Sequence, residues 1–226
     1  MKWLALTAQA KMAGSGSGSI QGMLQMNEIQ WAKAVQEVVS KFFGEKHTSL
    51  EMLQGANLPY ANEFLDYTEL EEPNEMKPIS YETDLLVIEK RSSAKTWTPR
   101  IVIECKVDSV TTHDAITYSE KAFVHKRVHP YLRYGILLGN RKHYPLPGRL
   151  FRHGLYFDFM ASWTAYTPTS EELNLLLELL IDEVEASRNL EEMLYQSRSA
   201  TRNRYIVLHR PLRLTPSSLT STDSED

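Results

Sequence analysis

Apolar positions along this chain change period several times, and the changes mark out its elements. From Asn27 to Phe43, Trp31, Val35, Val38, Val39 and Phe42 recur at helical spacing, with Asn27 placed as the N-cap. From Tyr81 the period becomes two. The runs Y-E-T-D-L-L-V-I-E-K and T-P-R-I-V-I-E-C-K-V flank a polar loop, Arg91 to Thr96, and predict an antiparallel hairpin. Helical spacing returns over Thr112–Val128 through Ala115, Ile116, Ser119, Ala122, Phe123 and Lys126. Tyr131–Gly139 and Leu155–Met160 read as further strands. Ser170 to about Gln196 predicts a long amphipathic helix. Its buried side runs from Leu173 and Leu176 to Leu190 and Leu194; Asp182, Glu183, Glu185, Glu191 and Glu192 form its acidic side. Arg204–Leu214 is compatible with a last strand or arm.

The stretch between the first helix and the hairpin is less regular. Thr48-Ser49-Leu50-Glu51 has the form of a capping box opening a short helix. Leu58–Leu70, mixed aromatic and acidic, is compatible with another helix, and Glu71–Glu75 reads as a solvated loop. The order helix, hairpin, helix, strand gives an α/β sandwich, a mixed central sheet flanked by helices. One domain over residues 23–214 suits a chain of 226 residues, its C-terminal helical part at about 170–196. Residues 1–22, with the Gly-Ser repeat Gly14–Ser19, read as a leader and flexible linker. Residues 215–226 are Ser/Thr/Asp-rich and expected to be disordered.

The hairpin carries the chemistry. In its second strand Ile101, Ile103, Cys105 and Val107 share one face and Val102, Glu104 and Lys106 the other. With the turn centred near Ala94, Asp84 and Glu104 fall opposite each other, Cβ atoms about 5 Å apart. Two carboxylates that close repel unless a cation lies between them, and Mg²⁺, which takes oxygen ligands, is the natural occupant.

The combination Asp84, Glu104 and Lys106, with E-C-K on an apolar strand and a basic helix after it, resembles the PD-(D/E)xK nuclease superfamily of restriction-endonuclease-like enzymes. The resemblance covers roughly residues 27 to 140. The proline before the family's aspartate is Thr83 here. The resemblance implies a restriction-endonuclease-like fold and a Mg²⁺-dependent deoxyribonuclease, with Mn²⁺ able to substitute. Asp84, Glu104 and Lys106 would be catalytic. Asp84, Glu104 and the backbone carbonyl of Cys105 would hold the metal, with an acid from the first helix, Glu28, or alternatively Glu63, completing the site. It also implies DNA as partner and an endonuclease of restriction, defence or mobile-element systems. Many restriction enzymes cut as dimers, which leaves a homodimer or larger assembly open. A nuclease-like, catalytically inactive nucleic-acid-binding or assembly subunit is the alternative.

Charge sharpens the DNA reading. Residues 90–153 carry thirteen basic and four acidic side chains, a local excess of +9 in a chain of net charge −4. Residues 23–89 carry four basic and thirteen acidic. The basic block suits a polyanion-binding face, with Lys121, Arg127, Arg141 and Lys142 the expected contacts; neutralisation of the acidic block is the structural counterpart. His125 and His129 imitate a zinc pair, but Pro130 ends the helix there and no further ligand is spaced to complete a site. No run is apolar and long enough to span a membrane. The single cysteine, Cys105, agrees with a reducing, cytoplasmic setting.

Overall fold

The computed structural model describes residues 26–91, 95–142, 145–195, 200–201 and 204–216. The expected leader, the chain beyond Pro216 and the middle of the Arg91–Thr96 loop lie outside them. The elements are α1 (Glu28–Lys46), β1 (Leu50–Tyr67), β2 (Pro73–Lys90), β3 (Trp97–Val107), α2 (Thr112–Val128), β4 (Arg133–Gly139), α3 (Gly148–His153), β5 (Phe159–Ser162) and α4 (Ser170–Tyr195). The strands form one mixed sheet in the order β1-β2-β3-β4-β5. The first three are antiparallel neighbours; β4 is parallel to β3, and β5 to β4.

The local signals explain the helices. Asn27 and Gln30 make a reciprocal capping box at α1, and Thr111 and Asp114 make one at α2. α1 and α4 cover one face of the sheet. There Trp31, Val35, Val39 and Phe43 meet Ile101, Ile103, Cys105, Leu137, Leu176, Leu180 and Val184 in one core. Trp31 sits edge-on to Trp163, centroids 5.5 Å apart, and its indole N–H donates to the Tyr166 carbonyl. A Cβ on Gly139 would lie 2.6 Å from the Trp31 ring, so β4 needs glycine where the helix crosses it. α2 covers the other face through Ala115, Ser119, Ala122 and His125, the small residues allowing close approach. Ile116, expected on that stripe, is exposed.

Several sequence expectations are corrected. Residues 48–70 hold no helix; they form β1 and the turn after it, and the Glu71–Glu75 loop is largely the start of β2. From Asn62 on β1 is exposed on both faces, so no apolar alternation marks it there, and Thr48-Ser49-Leu50-Glu51 only mimics a cap. The strand expected at Leu155–Met160 is Phe159–Ser162, shifted by the short helix α3. Residues 204–214 form no strand among the described residues; they have no regular structure, bend at Ile206 and are exposed. The acidic side of α4 is not uniformly solvent-facing. Glu183 bonds Arg133, and Glu191 bonds Arg91 and Arg100.

The hairpin register matters most for the site. Leu85, Leu86 and Val87 pair with Ile103, Val102 and Ile101. β2 pairs with β1 over nearly its whole length but with β3 only from Leu85 to Lys90. Beyond Leu85 the β1–β2 pair therefore leaves the sheet as a two-stranded arm. Gly55, at φ +66°, sits at the departure. Leu53 and Ala56, three apart, both pack toward α2, an offset that plain alternation forbids and the left-handed glycine supplies. His125 and His129 hold the root of the arm through Nε2, 3.1 and 3.0 Å from the Leu58 and Pro59 carbonyls. Among the described residues no helix is long and apolar enough to cross a membrane.

Candidate active site

The site lies where β2 parts from β3. The observed register, carried one step past Leu85–Ile103, sets Asp84 across from Glu104, as the alternation predicts. The Asp84 carboxylate turns into the gap, and its Oδ2 accepts from the Cys105 backbone N–H at 2.7 Å, replacing the ladder partner that β3 loses there. Asp84 thus has a structural duty the sequence did not reveal. The N–H and C=O of one residue leave a strand on the same side, so the Cys105 carbonyl also opens toward this gap. Its thiol is buried in the opposite face of the sheet.

Glu104 is only 1% exposed. Its Oε1 accepts from the Tyr134 hydroxyl and lies 3.5 Å from Lys121 Nζ. Burial pushes its carboxyl up to about 7; Lys121 and the Tyr134 hydrogen bond act against this, and the Asp84 charge adds to it. Lys121 compensates this poorly solvated carboxylate only in part.

Lys106 projects toward the C-terminal end of β3, between the N-terminal turns of α1 and α2. Its Nζ is 3.1 Å from Glu28 and 3.8 Å from Asp114, and 5.5 Å from the centroid of the Tyr118 ring. Burial acts to lower its amine, but hydrogen bonds to Tyr118 and Glu28 outweigh this and hold it above its ordinary value. It is a firmly protonated group. The helix N-termini on either side add positive partial charge, which favours the carboxylates of Glu28 and Asp114 in their first turns.

The structure brings Asp84, Glu104, Lys106 and Glu28 into one neighbourhood. It does not make Glu28 a third acid beside the pair, because Glu28 is engaged by Lys106. Glu63 is not at the site at all. It pairs with Lys77 far out on the arm, eight residues along β1 from the position facing Asp84, roughly 25 Å away at strand rise. Lys121, expected as a nucleic-acid contact, turns inward to Glu104 and lies over the rings of Tyr81 and Tyr118. Arg141 Nη1 donates to the Asp108 carbonyl, beside the end of β3, while Arg127 and Lys142 are exposed. Tyr134, Tyr118 and Asp114 were missed. Their contacts arise only when β4 and α2 dock beside β3, and no local spacing announces them.

Among the described residues no three of His, Cys, Asp and Glu converge on one point. Two facing carboxylates, an all-oxygen donor set and an under-compensated buried charge nonetheless fit Mg²⁺, which is usually held by one or two carboxylates with water and substrate phosphate completing its shell.

A pH effect follows from Glu104. Its folded pKa, about 7, lies above the ordinary 4.5. Between those values the folded state holds a proton the unfolded state has lost, so stability falls as pH rises through that window. Glu104→Gln removes this dependence. In EDTA its unfolding free energy relative to wild type should rise by about 3 kcal/mol from pH 4.5 to 7 and level off above. Urea melts across pH test this; parallel curves for the two proteins would mean that Glu104 is not held neutral.

No protein-family model matches the chain, and no curated protein matches it.

Proposed function

We propose that the protein is a metal-dependent nuclease of the PD-(D/E)xK kind that hydrolyses phosphodiester bonds in DNA. The observation that carries this reading is the Asp84–Glu104 pair facing across the β2–β3 gap, with Lys106 two residues on. Asp84, Glu104 and the Cys105 carbonyl would hold Mg²⁺, which would supply Lewis-acid polarisation of the phosphate and a more acidic bound water. Lys106, protonated, would donate to the phosphate or to the attacking water and offset the charge that builds on the phosphorane. Lys121 and Tyr134 fix the Glu104 carboxylate in place.

The second reading, a nuclease-like binding subunit without activity, is favoured by two observations: Lys106 is held by Glu28 and Asp114, and among the described residues no third acid joins the pair. Purified protein incubated with supercoiled and linear DNA in Mg²⁺, Mn²⁺ or EDTA separates the two. Metal-dependent nicking, linearisation or laddering is expected; DNA binding without cleavage in either metal would establish the binding subunit.

Much of the basic block is neutralised within the fold. Arg91, Arg100, Lys126 and Arg133 pair with Glu89, Asp158, Glu183 or Glu191. The expected salt dependence of DNA binding is therefore shallower than a +9 block implies. Charge reversal at Arg127 or Lys142 should lower the slope of log K against log salt by about 1 each if these groups touch phosphates. An unchanged slope in both would confine the basic block to structural pairing.

A further inference from the structure

The β1–β2 arm is a long surface with no partner strand on its outer edge among the described residues. β1 is the edge strand of the sheet, so its outer N–H and C=O groups are unpaired along the arm. Phe64, Leu65, Tyr67, Leu70 and Met76 are all exposed on the arm, Leu70 by 82%. Between Pro59 and Glu82 the chain carries seven carboxylates against one cation, Lys77. Such an arm offers strand edge, apolar side chains and negative charge together.

The C-terminal segment has the complementary set. Residues 204–214 read R-Y-I-V-L-H-R-P-L-R-L, with Arg204, Arg210 and Arg213 and no acid. Tyr205 to Leu208 is a run of high strand propensity. It lies in no sheet, bends at Ile206, and leaves its side chains in solvent, Ile206 by 98%.

Among the described residues no hydrogen bond, ion pair or ring contact joins the two within one copy. α4 ends beside the opposite end of the sheet, where Glu191 bonds Arg91 and Tyr195 packs on Tyr131. Arg213 then lies 3.8 Å from Asp182, midway back along α4. The arm leaves from the other end of β3. We propose that the segment 204–214 of one copy adds to the outer edge of the β1 arm of a second copy, and the reverse, closing a twofold dimer.

Charge argues for this pairing over the alternatives. Two acidic arms repel each other, and the bulges at Pro59/Ala61 and Phe64/Asp66 break up the edge that two identical arms would need to match. A basic strand meets neither obstacle: it pairs over the regular stretch Ala61–Phe64, and its arginines lie among the carboxylates. Pro211, which cannot donate to a ladder, ends the pairing run after Arg210. The dimer does not depend on the nuclease reading.

Sedimentation equilibrium of the full chain, over a wide range of concentration and at two salt levels, tests the proposal. A monomer–dimer equilibrium weakened by salt is expected. Arg210→Glu with Arg213→Glu, or Glu63→Lys with Glu69→Lys, should each weaken the dimer by about tenfold or more. All four together should restore it. These side chains are exposed, so the fold should be untouched, and circular dichroism checks this. A monomer at every concentration would overturn the proposal. So would a dimer indifferent to both reversals, or concentration-independent hydrogen-exchange protection of the β1 edge, the mark of docking within one copy.

Discussion

Glu104→Gln and Asp84→Asn are each expected to lower metal-dependent DNA cleavage by about 10³-fold while leaving DNA binding intact. The amides keep the shape of the side chains but remove the charge that would hold the cation. Asn is the right replacement at position 84, because its amide oxygen can still accept from the Cys105 N–H. Alanine would leave that donor unpaired at a cost of about 1–3 kcal/mol and confuse folding with chemistry. The two variants should also differ in stability. Glu104→Gln relieves a buried charge and should be more stable than wild type at neutral pH, whereas Asp84→Asn exchanges a charged acceptor for a neutral one and should be slightly less stable. Loss of cleavage in a protein that melts higher could not be blamed on unfolding. Full cleavage by either variant would remove the acid pair from the mechanism.

Lys106→Met is the second large effect. The stem is kept and the cation removed, and single-turnover cleavage should slow by about 10²-fold or more. The geometry makes this variant a clean one. Glu28 and Asp114, left without their cation, are partly solvated, with side chains 41% and 22% exposed. The stability cost should therefore stay near the scale of an exposed ion pair, about 1 kcal/mol or less. Mg²⁺ binding by Asp84 and Glu104, followed by calorimetry, should survive. A variant that cuts at the wild-type rate would make Lys106 a strut between α1 and α2. A drop of many degrees in melting temperature would say the same.

The sequence already contained the residues that face each other across the gap, because β3 alternates cleanly and its turn is short. Counting outward from Ala94 sets Asp84 against Glu104, and the structure reaches the same register through a bulge between Val87 and Ile88 that the sequence did not announce. The caps at Asn27 and Thr111 were equally legible, since capping is local chemistry. What could not be read was where β2 leaves β3. The left-handed Gly55 stands opposite that point, but on another strand, β1. Nor could the partners of the charges be read. Glu104 is served by Tyr134 from β4 and Lys121 from α2, and Glu28 by Lys106 from β3, contacts that exist only after the layers assemble. The long strand β1 was hidden because its outer part is bathed in solvent on both faces, so hydrophobicity does not encode its period.

The Trp31–Trp163 contact gives the molecule a built-in optical probe with a blind spot. Both indoles are buried, one on α1 and the other just after β5. Their emission should shift to the red only when that helix undocks from the sheet. The arm has tyrosines but no tryptophan between Leu50 and Lys90. An equilibrium state with the arm melted and the body intact would look native by tryptophan emission. Amide exchange on β1 would detect it, and disagreement between the two signals would reveal the arm as a separately opening unit.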